Sequence, residues 1–351
     1  MKLVAKSGKS RGGRRQLERV RVEDVAAAVG VSGATVSRAL NRSGPVSEKI
    51  RKRIEQTVEK LGYVPNGAAR ALASDRTRSI GIIIPTLENS NFAITAEGVQ
   101  RYLNDTSYRV VLATSDYDPE REWAQIQSLV SHGIDGIILV GAQRDRMVEE
   151  FLAARRIPFV VTWTLARRSI PSVGFDNAEA ARRLATHLLD LGHRQIGVIA
   201  GLTHNNDRAA ARLEGIRHAL RERGLAVPRA MLIERPYRIA EGQLALRALL
   251  EAPQAPTAIV CGNDQLAFGA LIECARRRIA VPRQLSVVGF DDLEFASQIV
   301  PALTTVRVPA DEIGRRAAEY LLATLTGRSG PQTIEVAVDV VVRESSGPPR
   351  P

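Results

Sequence analysis

The sequence predicts an α/β chain: a small helical bundle first, then two parallel, doubly wound sheets in tandem. Three observations predict it. A length of 351 residues with 44% apolar content is too much for one ordinary domain and enough core for two or three. From about residue 79, short Val/Ile-rich runs alternate with amphipathic helical stretches, as in parallel sheets covered on both faces. Between residues 20 and 63 the apolar spacing is helical throughout.

Charge divides the chain at the same place. Residues 1–78 hold 18 Lys and Arg against 7 Asp and Glu, so the formal charge of +11 sits entirely there. The remainder carries 31 basic and 31 acidic residues, which cancel. A basic segment on a neutral body is the footprint of a polyanion binder.

The elements follow in order. Residues 1–19, rich in Lys, Arg, Gly and Ser, read as a flexible basic arm. It either touches phosphates or is a tail without a role. It has no apolar stretch of the kind a secretory signal needs, and no run of about eighteen apolar residues exists to span a membrane. The only cysteines, Cys261 and Cys274, form no disulfide framework or metal spacing and fit a reducing compartment. A cytoplasmic location is expected.

The stretch EDVAAAVGVSGATVSRALN (23–41) reads as two short helices around Gly30, which permits the left-handed turn between them. Val25, Val31 and Val36 are spaced to pin the pair, and Ser32 caps the second helix. Gly33, Ala34, Thr35, Ser37, Arg38 and Asn41 are then exposed. Small residues let this helix approach a groove closely, and Arg38 can reach a guanine edge or a phosphate. A stray helical bundle is the bland alternative, but this one lies in the only net-positive region. A third helix, capped by Ser47 and stopped by Gly62, supplies the stripe Ile50, Ile54, Val58 and Leu61. Pro65 and Asn66 open a further short helical stretch, and polar residues after it form a tether.

Eight strands are expected beyond the tether: SIGIIIP (79–85), RVVLATSD (109–116), DGIILVG (135–141), PFVVTW (158–163), SVGFD (172–176), QIGVIAG (195–201), TAIVCGND (257–264) and LSVVGFDD (285–292). Ligands of open α/β sheets bind at the carboxyl ends of strands. Asp116, Asp176, Asn263, Asp264 and Asp291 end strands and are expected to line a cleft, with the alternative that Asp291 is only a strand-end cap and Asn263-Asp264 only a helix N-cap.

Enzyme chemistry has no support. GVIAG lacks the GxGxxG loop, no phosphate loop or nucleophile–base pair appears, and the five histidines show no metal spacing. No cofactor and no metal are expected. A secreted binding protein would lack the helical pair at 23–41.

These motifs resemble the lactose-repressor (LacI/GalR) family of bacterial transcription regulators. The resemblance rests on DVAAAVGVSGATVSRALN, VSEKIRKRIEQTVEKLGYVPNGAARALA, SIGIIIP, LLDLGHRQIGVIAG, CGNDQLAFGA and LSVVGFDD with PALTTV, and runs from about 20 to 344. It implies a helix-turn-helix domain at 20–65, a hinge helix and linker at 66–78, and a periplasmic-binding-protein-like effector core at 79–344. The core's N-subdomain would cover about 79–175 and 307–337, its C-subdomain about 176–306 and 338–344, with a tail at 345–351.

It also implies roles. Gly33, Ala34 and Arg38 match the main base readers of double-stranded DNA, with Ser32, Thr35, Ser37 and Asn41 near phosphates or base edges. Gly33 offers no side chain where the family often has one, which shifts readout to Ala34 and Arg38. Asn66, Ala69 and Leu72 match the hinge, with Leu72 as the wedge in the minor groove. Asn91, Phe92, Thr95, Trp163, Asp176, Arg212, Tyr237, Asn263 and Asp291 match the effector pocket. Trp163 replaces an Asp often found there, and VGFDNAEAAR is similar to gluconate-type members, which implies a sugar or sugar acid. A homodimer on a pseudopalindromic operator is implied, with no membrane partner. Whether the effector induces or corepresses, or whether the cleft responds to anything, stays open.

Overall fold

The computed structural model describes residues 20–41, 44–64, 76–167, 169–328 and 330–350. Met1–Asp75 and Arg76–Pro351 form two compact units. The arm at 1–19 and the hinge positions Asn66, Ala69 and Leu72 lie outside the described residues.

The first unit contains α1 (Val22–Val29), α2 (Gly33–Asn41) and α3 (Glu48–Leu61). Gly30 ends α1 at φ 75°, and its amide reaches back to the Ala26 carbonyl at 2.9 Å. Ser32 opens α2, its Oγ accepting from the Thr35 amide at 3.2 Å. Ser47 caps α3 and Gly62 ends it at φ 64°. Val25, Val36 and Ile54 are fully buried at the centre. Burial of each contributes about 1.5–3 kcal/mol, which is the main cohesion of so small a bundle. Arg53 adds a tie, donating from Nη2 to the Val29 carbonyl at 3.2 Å. Leu61, expected on the stripe, is exposed instead. It occupies the last turn of α3.

The second unit has a six-stranded sheet in the order β11-β5-β4-β3-β1-β2, parallel throughout. Its strands are β1 (Ser79–Ile84), β2 (Arg109–Thr114), β3 (Gly136–Val140), β4 (Phe159–Thr162), β5 (Ser172–Gly174) and β11 (Thr333–Glu335). A four-stranded parallel sheet, β7-β6-β8-β9, comprises β6 (Ile196–Gly201), β7 (Leu232–Arg235), β8 (Ala258–Cys261) and β9 (Ser286–Val288). A third, antiparallel pair joins β10 (Thr305–Arg307) to β12 (Asp339–Val341). Sequence patterning missed β7, β10, β11 and β12. Each has three or four residues, carries charge or lies at an edge, and forms only because a longer strand or a returning chain pairs with it.

Helices cover both sheets: α4 (Ser90–Leu103), α5 (Pro119–Ser131), α6 (Arg146–Ala154), α7 (Asn177–Asp190), α8 (Asp207–Glu222), α9 (Ile239–Leu250), α10 (Asp264–Arg276) and α11 (Ala310–Leu325). Close pairing of α4 with α11 depends on small residues, because a Cβ on Gly98 or Gly314 would overlap the Asp311 or Thr95 carbonyl. No described helix is long and apolar enough to cross a membrane. Cys261 and Cys274 are buried, and burial pushes both thiols up, Cys274 to about 12. Among the described residues no group of His, Cys, Asp and Glu could hold a metal.

Two boundary expectations change. Thr77 and Arg78, expected in the linker, donate their amides to the Asp135 carboxylate at 3.0 and 2.9 Å and so belong to the second unit. Residues 345–347, expected as a tail, are built into the C-terminal sheet. Ser345 is fully buried, the Val287 amide donates to its carbonyl at 2.8 Å, and the Gly347 carbonyl meets His193 Nε2 at 2.9 Å. Burial holds the His193 imidazole below its ordinary pKa, consistent with a neutral ring in that contact. A chain ending at Glu344 leaves these partners unsatisfied and should lose at least about 2 kcal/mol in urea denaturation; equal midpoints for the two lengths would contradict this packing.

Candidate functional site

In the first unit, α2 presents one polar face. Ser32, Ala34, Ser37, Arg38 and Asn41 are exposed, while Gly33 and Thr35 are half-buried. Val36 and Ala39 face inward and hold the helix to the bundle. Local bonds order the face: Ser32 Oγ lies 3.0 Å from Thr35 Oγ1, and Asn41 Nδ2 donates to Ser37 Oγ at 3.2 Å. Arg38 Nε donates to the Ala34 carbonyl at 3.3 Å, leaving the rest of the guanidinium for another acceptor. A Cβ on Gly33 would touch only Val22 Cγ1, at 3.9 Å, so packing does not require glycine there.

In the second unit, polar side chains converge at the carboxyl ends of β1, β4, β6 and β8. The centre is Asp291, 2% exposed, with φ 122°, a conformation that L-residues avoid and that marks strain held by its surroundings. Both subdomains grip it. Asn89 Nδ2 donates to its Oδ2 and Asn91 Nδ2 to its carbonyl, each at 3.2 Å. Arg212 Nη1 stands 3.7 Å from its Oδ1. Arg212 also donates from Nε to Asn177 Oδ1 and from Nη1 to the Gly262 carbonyl, both at 2.9 Å, and lies 3.7 Å over the Phe290 ring. It is 6% exposed, and its sequence neighbour Glu214 pairs with Arg221. Burial pushes Asp291 up to about 6, against the lowering field of Arg212.

The pocket here is lined by Asn89, Phe92, Tyr117, Trp163, Asn206, Arg208, Arg212, Tyr237, Asn263 and Asp291. Its free volume is about 20 Å³, room for roughly one water. A sugar-sized molecule enters only if the subdomains part. Trp163, at φ 70°, donates from Nε1 to Thr95 Oγ1 at 3.2 Å and meets Phe92 edge-on at 5.2 Å. Gly201 leaves space for the Tyr237 ring. Asn263 Oδ1 caps α10 by accepting from the Leu266 amide at 3.0 Å, while its buried Nδ2 has no partner among the described residues. The cap and cleft readings of Asn263 therefore both hold geometrically.

Six of the nine expected cleft residues line this pocket: Phe92, Trp163, Arg212, Tyr237, Asn263 and Asp291. Asn91 and Thr95 lie behind it as braces. Asp176 does not reach it. It is exposed and caps α7, accepting from the Ala178 and Glu179 amides at 2.9 Å, and the next residue, Asn177, takes the inward place. Of the other strand-end residues, Asp116 is exposed beside Arg121, and Asp264 is buried behind the cleft. Asp264 accepts from Thr305 Oγ1 at 2.6 Å and the Leu293 amide at 2.8 Å, and burial pushes it up to about 7. Sequence reasoning missed Asn89, Tyr117, Asn206 and Arg208. Only the run NNDRAAAR offered a signal, two polar groups ahead of a helix that points at the cleft.

Arg208 is 7% exposed, and its Nη1 donates to Asp207 Oδ1 at 2.8 Å. Gly141 makes room for its guanidinium. Asp207 Oδ2 in turn accepts from the Ala142 amide at 2.8 Å, closing the C-subdomain onto the end of β3. Gln265 Nε2 makes a second closure, donating to the Glu88 carbonyl at 2.8 Å.

A carboxyl with a raised folded-state pKa binds more protons folded than unfolded. Its stabilising effect is greatest in acid and fades as pH rises from its ordinary 3.8 through about 6. Asp291→Asn should therefore gain stability relative to the parent over that interval, then run parallel to it. Melting curves across pH check this; a constant offset at all pH values would refute the burial assigned to Asp291.

Comparison with known proteins agrees with both halves. The model of bacterial regulatory proteins of the lacI family matches residues 21–66, and that of the periplasmic binding protein-like domain matches 185–346. Catabolite control protein A of Priestia megaterium is 34% identical over 86% of this chain and 91% of its own length. The HTH-type transcriptional regulator GntR of Pseudomonas aeruginosa is 34% identical over 93% and 95%. The HTH-type transcriptional repressor PurR of Escherichia coli is 32% identical over 92% and 96%. Among solved structures, a LacI-family regulator from Silicibacter pomeroyi superposes with a TM-score of 0.84 at 29% identity, covering 93% of this chain and 99% of that one. The lac repressor dimer bound to operator and the anti-inducer ONPF also reaches 0.84, at 27% identity over 94% and 100%. Helix-turn-helix and periplasmic-binding-protein-like core thus occur together, in order, along nearly the whole chain. This chain belongs to the LacI family of bacterial regulators and acts on transcription through DNA, not as an enzyme.

Proposed function

We propose that the protein is a cytoplasmic, homodimeric repressor that reads a pseudopalindromic operator and answers to a sugar acid. Two copies would set two α2 helices on half-sites one helical turn or a multiple apart. Within α2, Arg38 and Ala34 carry base readout, and Ser32, Thr35, Ser37 and Asn41 serve the backbone. Gly33 contributes close approach. Asn66, Ala69 and Leu72 would complete the contact through the minor groove.

The observation that carries the effector reading is the charge of the closed pocket. Arg208 and Arg212 face it, Arg208 also paired with Asp207 outside the lining, and Asp291, the one carboxylate in the lining, is itself pushed up to about 6. The unpartnered Nδ2 of Asn263 adds a donor that wants an acceptor. Two guanidiniums and a free amide donor suit a carboxylate better than a neutral hydroxyl. Trp163, Tyr237 and Phe92 offer apolar faces for the C–H side of the same molecule. A ligand that engages Arg212 and Asp291 changes how the two subdomains meet, and by linkage DNA changes ligand affinity by the same factor.

Two measurements test this reading. A thermal-shift series should show gluconate or a related sugar acid stabilising the protein by about 2.7 kcal/mol at a hundred times its dissociation constant, with glucose far weaker. Arg208→Met should abolish that preference; stabilisation by glucose alone would sink the acid reading. Arg38→Ala should cost about 1–3 kcal/mol of operator discrimination while salt-sensitive binding to random DNA persists. Equal affinity of the parent for operator and random DNA would remove the basis for the whole reading.

A further inference from the structure

Beside the closed pocket lies a larger cavity, about 220 Å³, at the ends of β2 and β3. The two share Tyr117 and Arg208 as a common wall. Trp123, Met147 and Val148 give the outer cavity an apolar side. Its polar side is built, not incidental. Arg144 has only 4% of its side chain exposed, donates from Nε to Glu122 Oε1 at 3.1 Å, and from Nη1 to the Gly141 carbonyl at 2.8 Å. Asp207, which also lines the cavity, holds the Ala142 amide across the cleft. The loop that forms the shared wall is strained, with Asp116 at φ 53° and Tyr117 at φ 60°. Consecutive left-handed residues other than glycine cost energy and cluster at ligand clamps.

Volume and charge differ between the two compartments in a directed way. A cavity of about 150 Å³ accommodates a bare six-membered ring, so the outer one has room for a ring with its substituents. The inner lining carries two arginines and one carboxylate. In the outer lining five carboxylates, Glu122 and Asp207 among them, outnumber Arg144 and Arg208. An anionic group is therefore favoured inside and disfavoured outside, where hydroxyls can donate to carboxylates and the C–H face of a ring can pack on the apolar wall.

We propose that the effector is two units long: an aldonic acid held at Arg208 and Arg212 with a neutral glycosyl ring in the outer compartment. The proposal rests on the sugar-acid reading above and adds length and polarity to it. When the cleft opens to admit the acid, Tyr117 and Arg208 are the groups between which the glycosidic link passes.

Calorimetric titration of the full chain with gluconate, maltobionate and maltose tests it. Maltobionate should bind at least about tenfold more tightly than gluconate. Met147→Trp fills the outer cavity from a residue 48% exposed, and Gln143→Trp does so from an exposed loop position. In either variant, once circular dichroism shows it folded, the ratio of the two affinities should fall to near one. Equal affinity of the parent for the two acids overturns the two-unit ligand and leaves the acid reading standing. So does a ratio that both folded variants preserve. Silence towards gluconate and maltobionate alike overturns the acid reading and this proposal with it. Maltose binding as tightly as maltobionate overturns the assigned polarity.

Discussion

The core is organised by one buried contact, the carboxylate of Asp291 against the guanidinium of Arg212. Neither charge is reached by solvent, and taking such ions out of water costs several kcal/mol unless every remaining lone pair and proton finds a partner. The structure supplies those partners from both subdomains. Asn89 and Asn91 come from the start of α4, and Asn177, Gly262 and the face of Phe290 come from the other side. Closure of the cleft and satisfaction of the charges are thus one event.

Apolar packing carries that event beyond the pocket. Phe92, Trp163, Phe175 and Phe290 stand in a column, with successive ring centroids 5.2, 6.4 and 6.1 Å apart. The column begins on α4 and ends beneath Arg212, and it spans the join between the sheets. Offset and edge-on rings resist sliding but tolerate a change of partner at one end. Asp264 secures the C-terminal side by bonding Thr305, where the chain crosses between the sheets. Close-packed interiors of this kind have low compressibility and transmit strain.

The small helical unit follows a different economy. Its core is six buried side chains, Val25, Ala26, Val29, Val36, Ala39 and Ile54, with half-buried neighbours, and its outer face is left to polar residues and charge. Because α2 leaves its polar face exposed, its stability has to come from packing on α1 and α3. The excess of basic charge lies in residues 1–78 and leaves the core formally neutral.

Much of this was legible in the sequence because it is local. Gly30, Ser32, Ser47 and Gly62 announce helix ends through backbone needs that depend only on neighbours, and Ile-rich runs such as SIGIII can satisfy themselves only inside a covered sheet. Charge segregation, the α/β class and the family motifs are likewise properties of the chain alone. What only the tertiary structure decided is which polar residues meet. Asp176 and Asn177 are adjacent, and the turn into α7 alone determines that the first caps at the surface and the second enters the cleft. Tyr117 carries no distinguishing pattern and Arg208 only the run NNDRAAAR, yet packing across the β2 and β3 ends makes them the wall between two cavities. Short pairs such as β10 with β12 exist because distant segments return to each other. Local propensity encodes elements; the burial of charge, which needs partners from several elements at once, is settled only when the whole chain has closed around it.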